Sequence, residues 1–299
     1  MIFVFLVSFS FISDASASGA FPVNDESSVI GLIEQYTVKE NESLHEIARA
    51  FDLGYNEIED ANPDVEPFVP GKGRTIIIPS EWILPDGNNE GIIINIAEFR
   101  LYYFVKTKGG RFVKTYPIGL GRKGFETPLG RYTITQKIKS PSWTPPPSIR
   151  EEKPSLPPVV GPGADNPLGA YALRLSNPLI LLHGTHKPLG VGRRVSHGCI
   201  RLYPEDIENL FPSVKVNTHV SIIYQPVKIG LKDGIVYAEV HEDYMGKMED
   251  QMTEAIEILT KKNLMDKADN ETLKRALEEK NGVPTPISIN HESHSRVSN

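Results

Sequence analysis

The chain has 299 residues, enough for one or two domains, and its 39% hydrophobic and 23% charged residues supply a packed core and exclude wholesale disorder. The 32 basic residues are outnumbered by 38 acidic ones, a net charge of −6, which excludes the electrostatic footprint of a general nucleic-acid binder. Glycine and proline number 24 each and point to turns and strands over a helical bundle, while the single cysteine, Cys199, excludes an internal disulfide framework and any zinc site built on two or four cysteines.

Residues 2–12 (IFVFLVSFSFI) form an apolar run that is too short to span a bilayer, which takes about 20 residues, so no transmembrane anchor is expected. The run has the length of a secretory core segment. Ala15-Ser16-Ala17 fits the small-residue cleavage pattern, and Ser18-Gly19-Ala20 is a second option. No Lys or Arg precedes the run, so the amino terminus alone supplies the positive flank. Residues 1–20 are read as a signal peptide and the mature protein as exported. A buried strand is the competing reading.

Residues 35–80 have the pattern of a small separate module. Gln35–Lys39 is a short strand. Ser43-Leu44-His45-Glu46 is a capping box opening a helix to about Phe51, with Leu44, Ile47, Ala48 and Phe51 on one face. Asn56–Ala61 reads as a second helix stopped by Asn62-Pro63, and Arg74–Pro79 as a return strand. This segment resembles the LysM module at Tyr36-Thr37-Val38, Glu42-Ser43-Leu44, Ile47-Ala48, Ile58, Ala61-Asn62-Pro63 and Ile76-Ile77-Ile78-Pro79. The resemblance implies binding to glycan strands that contain N-acetylglucosamine. A βααβ fold without glycan binding is the alternative, since fold does not fix function.

Pro85–Asn89 is a linker. Strands then follow over residues 92–96, 100–105, 112–118 and 131–137, the last after the turn Glu126-Thr127-Pro128-Leu129-Gly130. Residues 141–167 hold nine prolines and read as a long loop that is neither helix nor central strand. Trp143 within it argues that the loop docks over the domain. Strands resume at 169–175 and 178–182, and Val220–Tyr224 is a late strand. In the tail, Met248, Met252, Ala255, Ile256 and Leu259 repeat at helical spacing as a packing face, and Asn270–Lys280 is a second helix ended by Asn281-Gly282. His291 and His294 fall in a polar end read as disordered.

The stretch 182–203, LHGTHKPLGVGRRVSHGCIRLY, concentrates chemistry: the sole cysteine and three histidines, His183, His186 and His197. A thiol acts as nucleophile only with a nearby base or positive field. His183 ends an apolar strand, a rigid mount for a base. Gly198 before Cys199 allows a sharp turn that brings backbone N–H groups to a reacting carbonyl. Three other readings compete: a buried structural cysteine, a zinc site from His183, His186, His197 and Cys199, and hydrogen-bonded core histidines.

His183-Gly184-Thr185 followed by Ser196-His197-Gly198-Cys199-Ile200-Arg201 resembles the L,D-transpeptidase catalytic domain of the YkuD type. Thr127-Pro128-Leu129-Gly130-Arg131-Tyr132 matches that family's TPxG turn. Ser142-Trp143-Thr144-Pro145-Pro146, Asp165-Asn166-Pro167-Leu168-Gly169 and Tyr171-Ala172-Leu173-Arg174-Leu175 resemble its Gram-negative periplasmic branch. The resemblance covers residues 91–225 and implies a mostly-β, sandwich-like catalytic domain after the βααβ module, with a C-terminal extension over 226–299. It implies attack by Cys199 on the tetrapeptide stem of peptidoglycan with loss of D-alanine, and acylation by carbapenems. The acceptor is then a second stem, giving a 3→3 cross-link, a lysine of an outer-membrane lipoprotein, or water. No metal or organic cofactor is expected, and the compartment is the periplasm. Cys199 is assigned as nucleophile, His183 as base and acid, and the Gly184 carbonyl as orienter of His183. The Gly198 and Cys199 N–H groups are assigned to the oxyanion hole. His197 shapes that hole or contacts substrate, and Arg201, Ser196 and Trp143 are candidates for substrate contact. A wall-binding protein with an idle or hydrolytic domain is the second reading.

Overall fold

The computed structural model describes residues 19–289, so most of the expected signal peptide and the end with His291 and His294 lie outside the described residues. Ala20 already belongs to strand β1 (Ala20–Val23), which runs antiparallel to residues 111–114. Strands β2 (Val29–Gly31) and β3 (Glu34–Thr37) follow, then helices α1 (Leu44–Ala50) and α2 (Tyr55–Asp60), and strands β4 (Thr75–Ile78) and β5 (Glu81–Ile83). The capping box forms: the Ser43 hydroxyl accepts from Glu46 N, and the Ser43 N–H donates to the Glu46 carboxylate at 2.9 Å. β3 and β4 pair antiparallel, which closes a β-α-α-β unit over residues 34–78.

The central sheet has nine strands. Its members are β1, β6 (Gly91–Asn95), β7 (Arg100–Thr107), β8 (Gly110–Pro117), β10 (Gly130–Lys139), β11 (Tyr171–Leu175), β12 (Leu181–His183), β14 (Ile200–Arg201) and β15 (His219–Ile223). β9 (Leu120–Gly121) and β13 (Arg194–Ser196) form a separate parallel pair beside it. The order is β1-β8-β7-β6-β15-β10-β11-β12-β14, antiparallel except at β15–β6 and β12–β14. Side chains alternate between sheet faces. Ile92 and Ile94 enter the core with Leu182, Ile200 and helix α4 (Pro204–Ser213), whereas Ile93 enters the core with Leu44, Ile47 and Ile58. The unbroken Ile92-Ile93-Ile94 run is therefore a strand buried on both faces.

Residues 35–80 do not close a core of their own. Leu44, Ile47, Ile58, Ile76 and Ile78 pack with Tyr102, Phe104 and Val113 of β7 and β8. A fully buried ion pair locks the junction, with Arg100 Nε and Nη2 each 2.8 Å from the Glu57 carboxylate, and the guanidinium lies 4.1 Å from the Trp82 ring centre.

Two stretches hold more structure than the sequence announces. The proline-rich stretch contains helix α3 (Pro147–Glu152), which starts with proline at its first position, where the missing N–H costs no hydrogen bond. The tail holds both expected helices, α5 (Gln251–Lys261) and α6 (Asn270–Glu279), but opens on a hairpin the sequence does not announce: β16 (Val227–Lys232) and β17 (Ile235–Val240) pair, are joined by β18 (Thr285–Pro286), and are covered by the two helices. Ala255 and Leu259 are buried in that third core, whereas Ile256 is exposed. The hairpin is tied to the central sheet by Lys228, whose ammonium lies 2.7 Å from both Glu98 and Glu239 and donates to Ile83 O at 2.7 Å. Among the described residues, no helix is long and apolar enough to cross a membrane.

Candidate active site

The parallel pair β12–β14 sets His183, at the end of β12, beside the strand that Cys199 immediately precedes. His183 stands opposite Arg201, and Leu182 opposite Ile200. Leu182 and Ile200 are wholly buried in the core, so the alternation turns His183 and Arg201 to the other face. Cys199 lies two residues before Arg201, and the thiol feels the Arg201 charge. Its Sγ is 3.5 Å from Leu179 O, at the mouth of the site, where the Leu179 side chain is 82% exposed.

His183 is buried, and its Nδ1 lies 2.5 Å from the Gly184 carbonyl. A carbonyl only accepts, so Nδ1 carries the proton and Nε2 is left bare. Burial, reinforced by the Arg201 charge, pushes the His183 pKa down to about 4, so the ring is neutral through the physiological range. Burial also raises the Cys199 thiol, against the opposing pull of the Arg201 and Arg174 charges. The resting pair is a neutral thiol and a neutral imidazole, suited to proton transfer during attack rather than to a standing thiolate.

The loop between β13 and β14 holds Cys199 with its carbonyls turned into the protein. Ser196 O accepts from Arg122 N at 2.9 Å, Gly198 O from the Thr127 hydroxyl at 3.0 Å, and Cys199 O from the Ser196 hydroxyl at 2.5 Å. Gly198 has φ +99°, in the left-handed region that side chains rarely adopt. Among the described residues, the Gly198 and Cys199 N–H groups have no acceptor. Successive unpaired N–H groups at such a turn form a concavity for negative charge.

The other expected residues are distributed around this centre. The Ser196 hydroxyl is buried and donates to the Cys199 carbonyl. His197 is held by the turn and by α3: its Nε2 lies 3.1 Å from Arg122 and 3.4 Å from Glu152 of α3, and its ring packs on Phe125 at 4.4 Å. Arg122 and Glu152 are themselves ion-paired. Trp143 forms a two-way backbone bridge with Val160 at 2.8 Å, which closes the proline-rich segment into a hairpin carrying α3. Buried Asn166 fastens its root through Pro141 O at 2.7 Å and Gly161 O at 2.9 Å. The Arg201 guanidinium is partly buried, and its Nε has no partner among the described residues.

His183, His186, His197 and Cys199 do not converge as metal ligands, because His186 is exposed and His197 is engaged with Arg122 and Glu152. Among the described residues, the one group whose ligand atoms gather within 4.8 Å is Glu98, Glu239 and His241, and Lys228 bonds to both of those carboxylates. Sequence reasoning overlooked Arg122, Glu152 and the role of Thr127. Only Thr127 left a signal, as the first residue of the TPLG turn.

The family model of the L,D-transpeptidase catalytic domain (YkuD) matches residues 89–229. The probable L,D-transpeptidase YcfS of Escherichia coli (strain K12) is 42% identical over 227 residues, covering 72% of this chain and 70% of its own. The probable L,D-transpeptidase YbiS of the same strain is 40% identical over 249 residues, 80% of each chain. Among solved structures, the catalytic domain of the Enterococcus faecium L,D-transpeptidase is similar over 46% of this chain and 100% of its own, at 19% identity and a TM-score of 0.36.

Proposed function

The chain belongs to the L,D-transpeptidase catalytic-domain family, and from that premise we propose that it transfers peptidoglycan stem peptides through an acyl-enzyme at Cys199. The observation that carries the reading is the tie from His183 Nδ1 to Gly184 O in a buried, neutral imidazole beside the nucleophile loop. Nε2 takes the thiol proton as Sγ attacks the carbonyl of the third stem residue. The tetrahedral oxyanion is held by the Gly198 and Cys199 N–H groups. The C–N bond to D-alanine then breaks, and His183 returns the proton to the departing amine. An acceptor amine repeats the sequence in reverse: its proton goes to His183, its nitrogen bonds the acyl carbon, and the thiol is regenerated.

The surrounding residues fit supporting roles. The unpartnered Arg201 Nε makes this guanidinium the candidate for a stem carboxylate. The hairpin carrying Trp143 and α3 borders the nucleophile loop through Glu152 and His197, and it serves as a cover over the bound stem. The βααβ unit, read as a LysM-like module, holds glycan strands. The compartment is the periplasm after removal of the signal peptide. The acceptor is a second stem or an outer-membrane lipoprotein lysine.

Cys199→Ala tests this division of labour. The variant should lose acylation by a carbapenem, read by mass spectrometry, and keep co-sedimentation with insoluble peptidoglycan. Wild-type protein that binds the wall yet never acquires an acyl adduct would favour a wall-binding protein with an idle domain.

A further inference from the structure

The turn between β9 and β10, residues 122–129, lies directly behind the nucleophile loop. Gly121 leaves no room for a side chain there: a Cβ would stand 2.0 Å from Phe125 O and 2.8 Å from Thr127 N. Thr127 is buried, and its hydroxyl sits between two backbone groups. It accepts from Gly121 N at 3.1 Å and donates to Gly198 O at 3.0 Å. The Gly121 N–H fixes the direction of the relay, because a hydroxyl that accepts from it has its single proton left for the Gly198 carbonyl.

That carbonyl belongs to the peptide unit that ends in the Cys199 N–H. The described chain has no cis peptide bond, and in a trans peptide the C=O and N–H point in opposite directions. A carbonyl held toward Thr127 therefore turns the Cys199 N–H away from Thr127 and toward the open side of the loop. Gly198 itself imposes little restraint: its nearest non-neighbouring atoms are 3.7 and 3.8 Å from where a Cβ would be. Glycine is the most permissive residue, so the orientation of this plane must be set from outside.

We propose that Thr127 is a positioning residue of the reaction, whose hydroxyl locks the Gly198–Cys199 peptide plane so that the Cys199 N–H faces the developing oxyanion. The proposal deepens, and rests on, the acyl-transfer reading of Cys199. It gives the TPLG turn a chemical purpose beyond reversing the chain. Thr127 is buried, and its hydroxyl is taken up by Gly121 N and Gly198 O. Its effect appears only in steps that build negative charge on a carbonyl oxygen.

Two reactions of the same thiol separate the possibilities. In carbapenem acylation, Sγ bonds to the lactam carbonyl carbon, the ring C–N bond breaks and the thiol proton passes to the ring nitrogen, with an oxyanion on the path. In alkylation by iodoacetamide, Sγ displaces iodide and no oxyanion forms. Thr127→Val should slow acylation by roughly 10- to 100-fold, since a misdirected donor forfeits most of the 10²–10³ that one oxyanion donor supplies. The alkylation rate of the variant should stay within about twofold of wild type, and Thr127→Ser should restore acylation. If Thr127→Val does not fold, by circular dichroism, the same comparison is made with Thr127→Ala. Equal losses in both reactions would overturn the proposal and leave Thr127 a structural residue. Unchanged acylation would overturn it as well. Wild-type protein that alkylates but never acylates would instead refute the acyl-transfer reading.

Discussion

The pH dependence of acylation reads out the buried state of His183. The ring gives up its water and lies beside the Arg201 guanidinium, and both effects oppose the imidazolium, bringing the pKa to about 4. A base of pKa about 4 is about 90% neutral at pH 5, whereas an ordinary histidine of pKa about 6.5 is only about 3% neutral there. Between pH 7.5 and pH 5, the second-order rate of carbapenem acylation should therefore fall by about 1.1-fold, not by the roughly 30-fold expected of an exposed histidine. The assay is rapid-mixing acylation followed by intact mass spectrometry at constant ionic strength. Arg201→Met should shift the acid limb upward, yet leave it below 6.5, because burial is the larger cause. An acid limb centred near 6.5 in wild type would refute the neutral-pair argument and with it the role given to burial.

Other consequences concern how the parts are held together. Lys228→Met strands the Glu98 and Glu239 carboxylates in a buried site and should destabilise the protein by about 3–5 kcal/mol in urea titration; a loss under about 1 kcal/mol would mean that the hairpin is fastened by its apolar contacts alone. Burial raises the carboxyls of Asp52, to about 7, and Asp206, which Asp52 raises further. Their folded pKa values exceed the unfolded ones, so this pair contributes stability below about pH 4 that is lost as pH rises toward 7. Asp206→Asn should accordingly narrow the gap in urea midpoint between pH 5 and pH 7.5, and an unchanged gap would contradict the raised carboxyls. Gly192 has φ +75°, and a Cβ there would lie 2.1 Å from Tyr55 N, so Gly192→Ala should push the loop before Cys199 off α2. A lower melting temperature and faster iodoacetamide alkylation are expected; wild-type values for both would contradict that close packing. Deleting residues 35–80 should yield unstable protein instead of a free catalytic domain, since Leu44, Ile47 and Ile58 share a core with Tyr102 and Phe104. A deletion variant that melts like wild type would refute the shared core.

Legibility in the sequence followed the physics of each element. Helix α1 was readable because its cap and apolar stripe are local, and β6 because Ile92, Ile93 and Ile94 are buried on both faces. The β16–β17 hairpin was missed: Lys228, Glu239 and His241 are buried among its apolar residues and satisfy one another, so no alternation marks the strands. Helix α3 escaped notice because three consecutive prolines argue against helix, although one at the first helical position is harmless. The Cys199 loop stood out through its rare cysteine and clustered histidines. The TPLG turn stood out as well, but the tie from its Thr127 hydroxyl to the loop did not, because Thr127 and Gly198 stand 71 positions apart in the chain.

Acyl transfer at Cys199 has a direct readout in its natural class of substrate. The mature protein is incubated with a disaccharide-tetrapeptide and the products are followed by mass spectrometry beside Cys199→Ala. A cross-linked dimer lacking one D-alanine, or an acyl adduct on Cys199, is expected, with neither formed by the variant. Folded protein with a free thiol that leaves the tetrapeptide unchanged, or products that persist in Cys199→Ala, would contradict it.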